Sequence, residues 1–288
     1  MRGARFQVGP ARARARLATG RCHGARTAHA QRALTFGKRA YRHRRAPGFV
    51  ARLVQCYRSP APPLSKFREP VLMPDMPRKS SELDEITEAT LAHYVARADA
   101  FWAGTRTHDV SQNITALLER IDASQPYTIL DLGCGPGRDL RTFRDLGHVA
   151  IGLDGAAPFV AMAREYSGCA VWHQEFLHLD LPAARFDGIF ANASLFHVPA
   201  QELPRVLGEL RAALKPSGVL LASNPRGDNE EGWRGERFGV FWNLAMWRSH
   251  VTAAGFVELD HYFRPPGLPF AQQPWLVTLW RKPGVDPY

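Results

Sequence analysis

Thr128-Ile129-Leu130-Asp131-Leu132-Gly133-Cys134-Gly135-Pro136-Gly137 is the stretch whose reading decides the fold. The apolar residues ahead of Gly133 read as a buried strand. Three glycines at alternate positions then make a turn that opens into a helix near Asp139. With no side chains in the way, backbone N–H groups of such a turn come very close to a ligand. Asp131 puts a carboxylate at the strand's C-terminal end, where open α/β sheets bind their ligands. The next apolar run, Val149 to Leu153, ends in Asp154-Gly155, 23 residues beyond Asp131. An acid at the tip of the neighbouring strand sits where a ribose presents two hydroxyls, and a carboxylate accepts from both. The combination suits a nucleoside-bearing cofactor. A dinucleotide fingerprint reads G-x-G-x-x-G, whereas this turn reads G-x-G-x-G, which disfavours NAD.

The string D-L-G-C-G-P-G resembles motif I of the class I S-adenosylmethionine (SAM) dependent methyltransferases, whose form is D-x-G-C/T-G-x-G. Later stretches are similar to the same family in order. Glu175-Phe176 follows a third strand, Ala170 to His173. Phe186-Asp187-Gly188-Ile189 runs on to Asn192 and His197, and Leu214-Lys215-Pro216-Ser217-Gly218 precedes a fifth strand. Glu175 stands where Asp is commoner, and Ser217 replaces a glycine. No N/D-P-P-Y follows the fourth strand, which argues against adenine-N6 and glutamine targets.

The resemblance covers about residues 84–282 and is to the small-molecule members. It implies an α/β, doubly wound, Rossmann-like seven-stranded sheet with a reversed last strand, and an N-terminal helical lid. It implies SAM as cofactor, held by Asp131, Gly133, Cys134, Gly135, Gly137, Asp154, Gly155, Glu175, Phe176 and Asn192. The reaction implied is methyl transfer to an N, O or S atom of a small-molecule acceptor. Where a base is needed, His197 and His108 are the candidates; the alternatives are a His197 that packs the next helix and a His108 that is a solvated loop residue.

Charge divides the chain. Residues 1–80 hold 19 Lys and Arg against Glu69 and Asp75, and residues 81–288 hold 18 against 25. Residues 1–79 are therefore read as a disordered Arg- and Pro-rich leader and 80–288 as the methyltransferase domain. The leader suits a transit peptide, a nucleic-acid-binding arm, or residues upstream of a true start at Met73 or Met76. The acidic remainder argues against a nucleic-acid groove of its own. A tRNA or RNA methyltransferase using the tail, and a SAM-binding protein without turnover, are the rival functions. Cys22, Cys56, Cys134 and Cys169 lack metal-ligand spacing, so no metal is expected. No apolar run reaches the roughly 18 residues of a membrane span. The expected setting is cytoplasmic, or the mitochondrial matrix if residues 1–72 are a transit peptide.

Around the core, Ser80-Ser81 is expected to cap a helix ending near Trp102, with Tyr94, Trp102, Arg106 and His108 facing either ligand or core. Residues 227–238 read as a polar loop around Trp233, either a substrate loop or inert surface. Tyr262 and Arg264 read as part of a loop joining the last two strands.

Overall fold

A computed structural model describes residues 77–284. The expected leader as far as residue 76, with Cys22 and Cys56 and every role suggested for it, lies outside the described residues.

Helices α1 (Ser80–Ala96), α2 (Ala98–Thr105) and α3 (Ser111–Leu118) precede the first strand, β1 (Thr128–Leu132). Strand and helix then alternate through α4 (Arg138–Asp145), β2 (Val149–Asp154), α5 (Ala157–Ser167), β3 (Ala170–His173) and β4 (Phe186–Asn192). Next come α6 (Leu203–Ala213), β5 (Leu214–Pro225), the pair β6 (Glu230–Arg234) and β7 (Arg237–Phe241), α7 (Leu244–Ala253), β8 (Val257–Arg264) and β9 (Trp275–Arg281). Seven strands form one mixed sheet in the order β3-β2-β1-β4-β5-β9-β8, with β6 and β7 pairing apart from it. Strands β1 to β5 are parallel, and β9 runs antiparallel to both β5 and β8.

The run Ile129-Leu130-Asp131-Leu132 shows no alternation because helices cover both faces of the sheet at β1. Leu130 and Leu132 pack in a layer with Val206, Leu207 and Leu210 of α6 and Trp247 of α7. Ile129 belongs to the opposite layer, with Leu117 of α3, Phe143 of α4 and Ala163 of α5. Truncating a fully buried ring such as Phe143 to alanine removes about 3–5 kcal/mol.

Three expectations change. Residues 230–241 are not a polar loop but the β6–β7 hairpin, fixed from outside: Phe238 N–H donates to Thr90 Oγ1 of α1, and Phe238 O accepts from His197 Nδ1. Tyr262 and Arg264 belong to β8, which runs further than its apolar start suggested because β9 pairs with it to Arg264. The first helix breaks at Arg97, whose guanidinium is drawn to Glu236 beside the hairpin, and its N-cap is Lys79 rather than a serine.

Candidate active site

The site lies beyond the C-terminal ends of β1 to β4 and under α1 and α2. Two glycines in the turn after β1 are there because nothing larger fits. Gly133 has φ +72°, and a Cβ on it would stand 2.5 Å from Ser194 Cβ. Gly137 has φ +89°, and a Cβ there would be 2.8 Å from the backbone of Ala163. A left-handed backbone and a close approach from the next helix or loop thus coincide at both positions.

A cleft enclosing about 710 Å³ of empty space, open solvent at its mouth included, runs from Gly133 past Asp154 to Glu175 and Phe176. Asp154 is at the tip of β2, one oxygen accepting from Gly135 N–H and the other from Ala156 N–H, each at 2.9 Å. Those bonds aim the carboxylate and leave it acceptor capacity toward the cleft. Burial pushes its pKa up to about 6 against the pull of the backbone amides of Ala156, Gly135 and Gly155. Glu175 and Phe176 follow β3 on a segment that Gln174 clasps. Gln174 Oε1 accepts from Asp180 N–H at 2.9 Å and its Nε2 donates to Asp180 O at 3.1 Å.

A second, more polar recess continues on the other side of the glycine turn, between Gly133 and Asn192. Asp139, in the first turn of α4, takes Arg138 Nε on Oδ1 at 2.7 Å and Arg138 Nη2 on Oδ2 at 2.8 Å. Arg138 also donates to Thr105 O of α2 at 2.8 Å. Asn192 Nδ2 reaches Asp139 Oδ2 at 3.4 Å, and Asn192 Oδ1 accepts from Asn113 Nδ2 of α3 at 2.9 Å. Tyr262 O–H of β8 donates to Asn113 Oδ1 at 2.9 Å. Burial pushes the Tyr262 phenol up to about 12, so it keeps its proton at neutral pH.

His197 lines the first cleft, on the short turn Leu195–His197 after β4. Its Nδ1 lies 2.6 Å from Phe238 O, which can only accept, so Nδ1 carries the proton and Nε2 accepts from Tyr94 O–H at 2.8 Å. Burial lowers the imidazole to about 4. It is neutral at physiological pH, and Tyr94 already occupies its basic nitrogen. Ser194, buried beside Gly133 in the same cleft, has an Oγ without a hydrogen-bond partner.

The structure brings Gly133, Gly135, Asp154, Gly155, Glu175, Phe176 and His197 to the first cleft, and Cys134 and Asn192 to the second. Asp131, Gly137 and His108 line neither. Asp131 is 2% exposed beneath the turn with Oδ2 unpartnered, and burial, then Asp139, raises its carboxyl well above the usual range. His108 lies near Arg138 and Asp139, its pKa lowered first by burial and then by Arg138. Cys134 is no nucleophile: burial, then Asp131, raises its thiol. Trp233 is 48% exposed on the hairpin and lines neither cleft. Sequence reasoning missed Asp139, Asn113 and Gln174. Asn113 had a legible signal, since it shares the core-facing stripe of α3 with Leu117, where a polar residue needs a reason.

Residues 129–218 match the family model described as a methyltransferase domain. The chain is 35% identical over 120 residues to trans-aconitate 2-methyltransferase of Azoarcus sp. (strain BH72), covering 41% of this chain and 47% of that protein. It is 35% identical over 150 residues to the enzyme of the same name from Paracidovorax citrulli (strain AAC00-1), covering 49% and 55%. The chain thus spans about half the length of the curated relatives it matches. Its fold is similar to the Burkholderia thailandensis 1,6-didemethyltoxoflavin-N1-methyltransferase, solved with 1,6-didemethyltoxoflavin and S-adenosylhomocysteine. The TM-score is 0.59 at 24% identity, over 74% of this chain and 94% of that one. With the motif-bearing strands in one sheet and the matched segment running from β1 into β5, residues 129–218 are similar to the methyltransferase domain of the class I SAM-dependent enzymes.

Proposed function

We propose that the protein transfers the methyl group of SAM to a small-molecule acceptor whose nucleophilic N, O or S atom arrives with no proton to lose. The observation that carries the reading is the Asp154 carboxylate, held by two backbone amides at the tip of β2 with acceptor capacity left toward the cleft. The residues present fit the donor. Asp154 is suited to its ribose diol, and Glu175 and Phe176 to its adenine edge and face. Asp139 and Arg138 offer opposite charges to its ammonium and carboxylate. When bound, SAM supplies an activated methyl on a sulfonium, so the protein's work is alignment and exclusion of water rather than activation.

The chain's own residues set that alignment. Gly133 lets backbone cross the middle of the site, with the Ser194 side chain buried close beside it. Leu91 of α1 packs against Gly155, and Phe101 of α2 packs over Gly135, closing the site from above as a helical lid. His197, neutral and engaged through both nitrogens, orients Tyr94 rather than collecting a proton. The doubly wound arrangement with its reversed β9 belongs to this reading, in which the cofactor cleft lies at the β1/β4 switch point, where the order of the parallel strands reverses. That both curated relatives methylate a small acid by name supports a small-molecule acceptor.

The test is incubation of the purified protein with methyl-labelled SAM and a fractionated small-molecule extract. Label appearing in a low-molecular-weight product, with S-adenosylhomocysteine (SAH) released, is expected. Failure to bind SAH in calorimetry, or label recovered only in RNA, refutes the assignment.

A further inference from the structure

A fully buried asparagine on the apolar face of a helix carries a cost unless both ends of its amide are bonded. Asn113 is such a residue, at 0% exposure, and both ends are used. Its bonds belong to a chain of one sense. Asp139 offers only acceptor oxygens to the recess, so Asn192 must turn its Nδ2 toward it. Asn192 Oδ1 then faces Asn113 Nδ2, and Asn113 Oδ1 is left to accept from Tyr262 O–H. Every amide orientation follows from the carboxylate at one end and the phenol at the other. Three elements distant in sequence, α3, β4 and β8, thereby converge on one acidic side chain at the start of α4.

That carboxylate lies at the end of the site where a ligand's ammonium belongs. Along the sheet order β3-β2-β1-β4, the groups at the strand tips are Glu175 and Phe176, then Asp154, then Gly133, then Asn192 with Asp139 beside it. A nucleoside with its base at β3 and its sugar at β2 has its third part, the amino-acid end, past Gly133. We propose that Tyr262 and Asn113 are positioning residues which, through Asn192, hold Asp139 against the α-ammonium of the cofactor; this rests on the cofactor placement proposed above. A purely architectural role would be met by leucine at position 113, in line with Leu117, without polar groups to satisfy.

The experiment compares Tyr262→Phe and Asn113→Asp with the unaltered protein by calorimetry, using two ligands. SAH has the amino-acid end, and 5′-methylthioadenosine keeps the adenosine and thioether but lacks it. Tyr262→Phe removes one O–H and keeps the ring. Asn113→Asp keeps the volume but sets an acceptor against Asn192 Oδ1, so that Asn192 must turn an oxygen toward Asp139. The expected result is SAH binding weaker by about threefold to tenfold in Tyr262→Phe, as for one lost hydrogen bond, and by more in Asn113→Asp. Binding of 5′-methylthioadenosine should stay within about twofold. Equal weakening for both ligands, or none for SAH, overturns the proposal. If Asn113→Asp does not fold, Tyr262→Phe decides alone. If the unaltered protein binds neither ligand, the cofactor reading itself has failed, a result distinct from equal binding by protein and variants.

Discussion

Asp154→Ala separates what this carboxylate does for the ligand from what it does for the fold. Its rise from an ordinary 3.8 to about 6 in the folded protein corresponds to about 3 kcal/mol at pH 7. The folded value lies above the unfolded one, so the associated stability is fully present in acid below the unfolded value and is lost as pH climbs through about 6. Near neutrality the ionised side chain is therefore a burden on the protein without ligand. Alanine lifts that burden but strips the acceptor from Gly135 N–H and Ala156 N–H, at about 1–3 kcal/mol each. The two effects oppose, and the net change in unfolding free energy should stay within about 3 kcal/mol at pH 7. Binding has no such compensation. Two ribose hydroxyls on a charged acceptor contribute about 1.5–3 kcal/mol each, so SAH affinity should fall about 10²- to 10⁴-fold. Calorimetry gives the affinity and urea unfolding at pH 5 and 7 the stability. Acidification over that interval should shift the stability difference toward the unaltered protein by about 1 kcal/mol. A loss of SAH affinity under tenfold, together with a stability loss above about 4 kcal/mol, would make Asp154 a loop anchor and refute the reasoning.

Other perturbations test other parts of the site. Gly137→Ala adds the roughly 1–2 kcal/mol penalty of a left-handed alanine to a 2.8 Å approach to Ala163 backbone, so thermal unfolding should show a loss above 2 kcal/mol; a change under about 0.5 contradicts the packing described. In NMR titration the ring protons of His197 should stay flat from pH 8 to 5 and move only near 4, whereas a midpoint near 6.5 would restore it as a free base. Glu175→Gln should weaken SAH by about threefold to tenfold, the cost of one charge-assisted bond at a partly exposed carboxylate, and leave thermal stability unchanged. Equal SAH binding by that variant would move the adenine edge to another partner.

The core of the site was legible because its constraints are local. A run of apolar residues ending in closely spaced glycines can hardly be anything but a strand entering a tight turn, and Gly133 and Gly137 do have the positive φ that only glycine takes without strain. Asp154 was equally readable, since a strand of known length puts its last residue at a known edge of the sheet. The helix expected to open near Asp139 begins at Arg138, within a residue of that reading.

What the chain's order could not display is which distant side chains meet. Tyr94 and His197 are 103 positions apart, and their hydrogen bond turns a candidate base into a neutral partner of a phenol. Asn113 and Tyr262 are 149 apart, and no local pattern links them. The hairpin at 230–241 looked like a polar loop because its short strands gain their order from Thr90 and His197, not from their own composition. Sequence alone determined the backbone turns, the strand tips and the carboxylate at the end of β2, since each depends on φ, spacing or periodicity within a few residues. Only tertiary structure decided the protonation of His197, the placing of Asp131 beneath the turn and the polar chain to Asp139, because burial and long-range pairing exist only once the sheet has formed.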